Sequence, residues 1–262
     1  MDHRAAHPAQ SVRVETGDGR FWIKGAAALL ARKDVVRIEV VDDVSYHDRA
    51  TYHAIPLAHL IDGASARAGM LEAAAADGFV AHLPLSMVRN RDPSLPIAYL
   101  AVEDPGSQWR ALPGKSVSAG PFYIVWIGPH AQRVPAEYWP YQIVALRVTT
   151  APDDRWSVLN PASVAGASAN VRDGRALFVA NCLSCHKIDG QGEGTIGPDL
   201  NRPMNPTAYF QRAALHRYIR NPASLRHWPA QQMPAFDAAR LPDHEIDEII
   251  DYLAAYRSHS RS

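Results

Sequence analysis

The chain has 262 residues, of which 47% are apolar and 21% charged, with 27 basic and 27 acidic side chains and a formal net charge of zero. That length favours two domains, each able to bury a core, and the balanced charge excludes recognition of nucleic acid or anionic lipid through a polybasic surface. No apolar run approaches the roughly 20 residues a bilayer span requires, and those at Ala26 to Ala31 and Ala73 to Ala76 are short.

From Val12 to about Thr150 the pattern predicts strands. Short alternating or apolar runs such as Val35 to Val41, Phe79 to Leu83, Phe122 to Ile127 and Ile143 to Val148 are separated by turn pairs. These pairs are Asp18-Gly19, Asp62-Gly63, Asp77-Gly78, Pro105-Gly106 and Pro113-Gly114, which suit reversals of a sheet. Ala66 to Ala76 reads as one helix or a long loop. Asp42-Asp43 reads as a solvated turn at a strand end. A mainly-β or mixed α+β domain over residues 1–150 is expected.

Residues 151–170 turn to Ala, Ser, Asn, Pro and Gly and read as a linker. Helical patterns then follow over Val171 to Asn181, Pro206 to Arg220 and Pro242 to Tyr256, so residues 171–262 should form an all-α domain. In the last of these, Ile246, Ile249, Ile250 and Leu253 repeat at the spacing of one buried helix face. Pro242 suits its first position, and Asp243 and Glu245 favour the positive end of its dipole.

Both cysteines of the chain belong to Cys182-Leu183-Ser184-Cys185-His186. In CxxCH the two thiols reach the two vinyl groups of one porphyrin and the next residue offers an imidazole to the iron, so one covalently bound haem c is the expected cofactor. A structural zinc site would need a second pair of ligands, and a thioredoxin-like redox pair would leave the histidine unexplained. Haem of this type is attached outside the cytoplasm in bacteria. Met1 therefore reads as a trimmed start, and the mature chain as periplasmic.

Residues 171 to 257 resemble a class I bacterial cytochrome c. Gly174 and Phe178 stand where that family crosses its first and last helices, with Ile249 and Tyr252 as the matching residues of the last helix. The resemblance implies further roles. In Gly197-Pro198-Asp199-Leu200 it places Pro198 and Leu200 on the proximal side of the haem, with the Pro198 carbonyl accepting from the second nitrogen of His186. In Gln232-Met233-Pro234-Ala235-Phe236 it makes Met233 the candidate axial methionine. His216 and His227 remain rivals, since a second imidazole would also serve. Tyr218, Arg220 and Trp228 are candidate donors to haem propionates, with plain packing or solvation as the alternative for each.

Residues 1–150 hold no cysteine. Ile23-Lys24-Gly25, Ala54-Ile55-Pro56-Leu57-Ala58-His59-Leu60-Ile61, Asp77-Gly78-Phe79 and Gly120-Pro121-Phe122-Tyr123-Ile124-Val125 are similar to stretches of the sulfite-oxidase type of molybdopterin-binding domain. Catalytic members of that family bind molybdenum through a cysteine thiolate, so the resemblance implies a cofactor-free interaction domain here. His47, His53 and His59, six apart, read as solvated or core histidines, because that interval suits neither a helix face nor a close ligand pair.

The expected function is extracytoplasmic electron transfer, with the first domain docking to a redox partner such as a dehydrogenase, oxidase or molybdoenzyme. Two other readings stay open. The first domain would itself oxidise a substrate and pass electrons to the haem, or the haem would sense a gas that displaces Met233.

Overall fold

The computed structural model describes residues 11–64, 68–159, 167–226 and 231–259. Two compact units divide the chain, Met1–Ala151 and Pro152–Ser262.

The first unit is built on two sheets. One has the strand order β2 (Phe21–Gly25), β1 (Ser11–Glu15), β9 (Ile143–Thr149), β5 (Met70–Ala75), β6 (Val80–Pro84), and the other β3 (Val36–Val40), β4 (Ala50–Pro56), β7 (Ile97–Val102), β8 (Phe122–Ile127). All pairings are antiparallel except β1 with β9, so the five-stranded sheet is mixed. Its helices are single turns: α1 (Ala26–Leu30), α2 (Leu57–Leu60) and α3 (Leu85–Val88). Proline and glycine punctuate this unit. Pro56 and Pro84 each end a strand and stand at the N-cap of the following turn. At Asp77-Gly78, Gly78 takes φ +90° while the Ala75 N–H donates to the Phe79 carbonyl across the reversal. A side chain there would strain the backbone.

Alternation drives burial in β1, where Val12 and Val14 are fully buried, and β8 is buried almost throughout, from Phe122 to Trp126. The helix or loop expected over Ala66 to Ala76 is corrected by the structure. Met70–Ala75 is strand β5, paired on both sides with β6 and β9. Alanine prefers a helix in isolation, but two neighbouring strands satisfy its backbone, and its small side chains suit a strand covered on both faces.

Asp43 departs from its expected solvated turn. It is fully buried. Its carboxylate accepts from the backbone N–H groups of Ser45 and Tyr46 at 2.9 Å each, from Tyr52 Oη at 2.8 Å and from Tyr123 Oη at 3.1 Å. Four donors offset the loss of hydration that an isolated buried carboxylate could not survive. Burial and this neighbouring charge hold the Tyr52 and Tyr123 hydroxyls well above the usual phenol range.

The second unit is helical, with α4 (Pro152–Arg155), α5 (Ala169–Asn181), α6 (Arg212–Arg220) and α7 (Asp243–His259). The expected helix over Pro206 to Arg220 is broken in two. Asn205 caps a 3-10 turn over Pro206–Ala208 through the Thr207 N–H at 3.0 Å, and α6 begins only at Arg212. The composition read as a linker also contains ordered turns. Leu159 is fully buried and its carbonyl accepts from Tyr252 Oη at 3.1 Å, which ties the start of this unit to α7.

Helices α5 and α7 cross at Gly174. A Cβ added there would overlap the carbonyl of Glu248 and lie 3.1 Å from the Ile249 nitrogen. Close approach lets Phe178 and Tyr252 meet with ring centroids 5.3 Å apart. The expected stripe of α7 is buried, with Ile246, Ile249, Ile250 and Leu253 all at 2% exposure or less. Each such side chain contributes roughly 1.5–3 kcal/mol.

Candidate functional site

The CxxCH segment begins where α5 stops. Cys182 and Leu183 both donate their N–H groups to the Phe178 carbonyl, and Cys185 and His186 then donate theirs to the Cys182 carbonyl, at 3.1 and 2.9 Å. This extra turn buries Leu183 and Ser184 and leaves Cys182, Cys185 and His186 half-buried together. No disulfide joins the two thiols.

Residues 187–202 fold back over this turn. The Gly197 N–H donates to the Cys185 carbonyl and the Leu200 N–H to the Lys187 carbonyl, both at 2.8 Å. Asp199 holds the loop together by accepting from the backbone N–H groups of Asp189, Gly190, Asn201 and Arg202. Its carboxyl is held below the usual range by these bonds, although burial works in the other direction. Asp189 closes the loop against Asn201, Arg202 and Tyr256 Oη.

His186 Nδ1 lies 2.7 Å from the Pro198 carbonyl oxygen. A carbonyl only accepts, so the proton sits on Nδ1 and Nε2 keeps a lone pair. Burial lowers the pKa of the ring, opposed by the Pro198 bond and the Asp199 charge. The neutral imidazole that a metal requires is thus the favoured form. A Cβ at Gly197 would lie 2.6 Å from Nδ1 and 2.8 Å from Nε2, and one at Gly194 would press on the His186 nitrogen at 2.6 Å. Glycine at both positions lets backbone lie flat against the imidazole and the motif. The fit to a haem c is therefore good: two adjacent thiols, one oriented imidazole and a lone pair on the correct nitrogen.

Met233 is half-buried on the segment between α6 and α7, where residues 231–242 carry neither helix nor strand. Arg220 lies against this segment. Its guanidinium donates to the carbonyls of Phe236 at 2.6 Å and Leu241 at 2.7 Å and to the Asp243 carboxylate at 2.7 Å. The Phe236 N–H returns a bond to the Arg220 carbonyl at 3.0 Å. Tyr218 is half-buried and stacks on Phe210 at 5.5 Å. The imidazole of His216 is engaged at the start of α7, with Nε2 3.2 Å from the Asp243 carbonyl. His227 and Trp228 lie outside the described residues.

In the first unit, His47 takes φ +54° in a turn, His53 is exposed on β4, and His59 Nδ1 is 3.0 Å from Asp34. Among the described residues, no group of three or more His, Cys, Asp or Glu is arranged to hold a metal ion, and no helix is long and apolar enough to cross a membrane. Sequence reasoning missed Asp43, Gly194 and the loop-holding part of Asp199. The Gly192-Glu193-Gly194 spacing just after the motif was the available signal for the second.

Residues 171–256 match the Cytochrome c family. No curated protein matches the chain. Among solved structures, the sulfane dehydrogenase SoxCD from Paracoccus pantotrophus is similar to it at 14% identity with a TM-score of 0.39, over 55% of this chain and 39% of that one. The chain thus spans about two fifths of the length of the solved chain it matches. The family match, the α5–α7 crossing at Gly174 and the oriented His186 agree, and the C-terminal region of this chain is a class I c-type cytochrome domain.

Proposed function

We propose that the C-terminal unit holds a single haem c, joined to the thiols of Cys182 and Cys185, with Nε2 of His186 and the sulfur of Met233 as axial ligands. The chain then passes single electrons outside the cytoplasm, in the periplasm, and residues 1–150 serve as a cofactor-free docking unit toward a redox partner protein. The observation that carries the site is the 2.7 Å bond from His186 Nδ1 to the Pro198 carbonyl, which directs the other nitrogen away for a metal. When bound, haem c supplies a one-electron iron couple, and a thioether ligand raises its potential relative to a second imidazole. The residues of this chain hold the ring, fix its tautomer and shield it from water. Phe21 and Ile23, both more than half exposed on edge strand β2, give the first unit an apolar surface suited to a transient contact.

The test is the absorption spectrum of the ferric protein. A weak long-wavelength sulfur-to-iron band is expected in the unmodified protein and should vanish in Met233→Ala, while covalent haem content stays the same. Absence of the band in the unmodified protein would refute Met233 as ligand.

A further inference from the structure

Three observations converge on the end of α6. Arg220 reaches across 16 to 23 residues of sequence to two carbonyls of the segment that follows Met233 and to the first carboxylate of α7. Its own carbonyl accepts from Phe236, so main chain and side chain of one residue grip the same stretch. Asp243 is exposed, yet its carboxyl is held below the usual range by the Arg220 bond, and His216 Nε2 stands 3.7 Å from the same oxygen.

We infer that Arg220 and Asp243 form a clamp that positions the Met233 segment and sets how often the methionine leaves the iron. The inference rests on the reading of Met233 as an axial ligand. Arg220 is a positioning residue: it acts on the iron only through the segment it holds. A planar fork can hold two carbonyls and a carboxylate at fixed angles, which an ammonium cannot. No regular secondary structure holds residues 231–237, so side-chain bonds to the segment carry more of its order than they would in a helix.

The molecule contains its own control. Arg212 joins the same two helices at their other end, donating to Asp251 at 2.5 Å and to the Asp247 carboxylate at 3.1 Å. It touches no residue of the Met233 segment in these bonds. Substituting it weakens α6–α7 packing without loosening the segment.

The experiment uses the full-length holoprotein and imidazole as the probe, which binds ferric haem only when the sixth position opens. Apparent affinity then scales with the open fraction. Arg220→Gln should tighten imidazole binding roughly ten- to hundredfold, as expected from losing two or three charge-assisted bonds. Asp243→Asn should give a smaller rise, and Arg220→Lys should fall between Arg220→Gln and the unmodified protein. Arg212→Gln should leave imidazole affinity unchanged while lowering the melting temperature. Equal effects from Arg212→Gln and Arg220→Gln would overturn the clamp, and so would unchanged affinity in Arg220→Lys and Asp243→Asn. If Arg220→Gln does not fold, those last two variants decide the matter. An unmodified protein lacking the sulfur-to-iron band would overturn the ligand reading itself, and the clamp with it, and is told apart from the other outcomes by that spectrum.

Discussion

Replacing Gly174 by alanine sets two effects of opposite sign against each other. Alanine is the better helix former by about 1 kcal/mol, so in an isolated α5 the change would stabilise. In the folded unit the new methyl meets the Glu248 carbonyl and lies 3.1 Å from the Ile249 nitrogen, both on the backbone of α7. Backbone cannot rotate aside as a side chain can. The helices must part by roughly 1 Å, and a gap of that size forfeits a quarter to a half of each dispersion contact across it. The crossing holds Phe178, Ile249 and Tyr252, all at 1% exposure or less. Overpacking alone costs about 1–3 kcal/mol, and partial loss of three large contacts adds to it. A net destabilisation of about 2–4 kcal/mol is expected, or a fall of roughly 10–25 °C in melting temperature for a unit of this size. Thermal unfolding followed through haem absorbance reports this unit alone. A Gly174→Ala protein that melts within 2 °C of the unmodified one, or above it, would refute the close crossing.

The other expectations concern the imidazole and an ion pair of the first unit. Gly197→Ala puts a methyl against both ring nitrogens of His186 and should disturb the Nδ1 bond to Pro198. Changes to such supporting contacts typically cost 10–100-fold in metal affinity. Losing the bond also makes the imidazole a weaker donor to ferric iron, so haem content should fall and the reduction potential should rise, and unchanged values would contradict the packing. Asp34 is held down to about 2, first by its bond to Arg32 and also by His59, against a desolvation effect of opposite sign. A depressed carboxyl contributes stability that is present above its unfolded value near 4 and is lost as pH falls through about 2. Asp34→Asn should therefore differ from the unmodified protein by at most about 2 kcal/mol at neutral pH, with the difference closing between pH 4 and 2. Urea titrations at several pH values would show a constant gap if the ion pair were irrelevant.

What could be read in advance was whatever depends on neighbours in sequence. CxxCH, the 3.6-residue stripe of α7 and the apolar runs of β8 and β9 are local signals, and each was found where it was expected. Gly174 opposite Ile249 was legible only because the family resemblance supplied the distant partner. The alanines of β5 carried a local preference for helix that β6 and β9 overrode. Asp43 looked like a surface acid because its tyrosine partners are 9 and 80 residues away. The bonds of Arg220 were hidden for the same reason: the Phe236 and Leu241 carbonyls lie 16 and 21 residues away, on a segment without periodicity.

The strand order of the mixed sheet has a consequence for how the chain is made. Strand β9 is the last of the first unit in sequence yet lies between β1 and β5 in space. Until residue 149 has left the ribosome, the sheet exists only as two separate hairpins, β1–β2 and β5–β6, neither stable alone. Its assembly joins residues 13–15 with 145–147, a separation that makes folding slow and leaves hairpin edges exposed meanwhile. A truncation that removes 143–149 would not shorten this sheet by one strand but split it through the middle. The first unit can close only after synthesis has all but reached the start of the second.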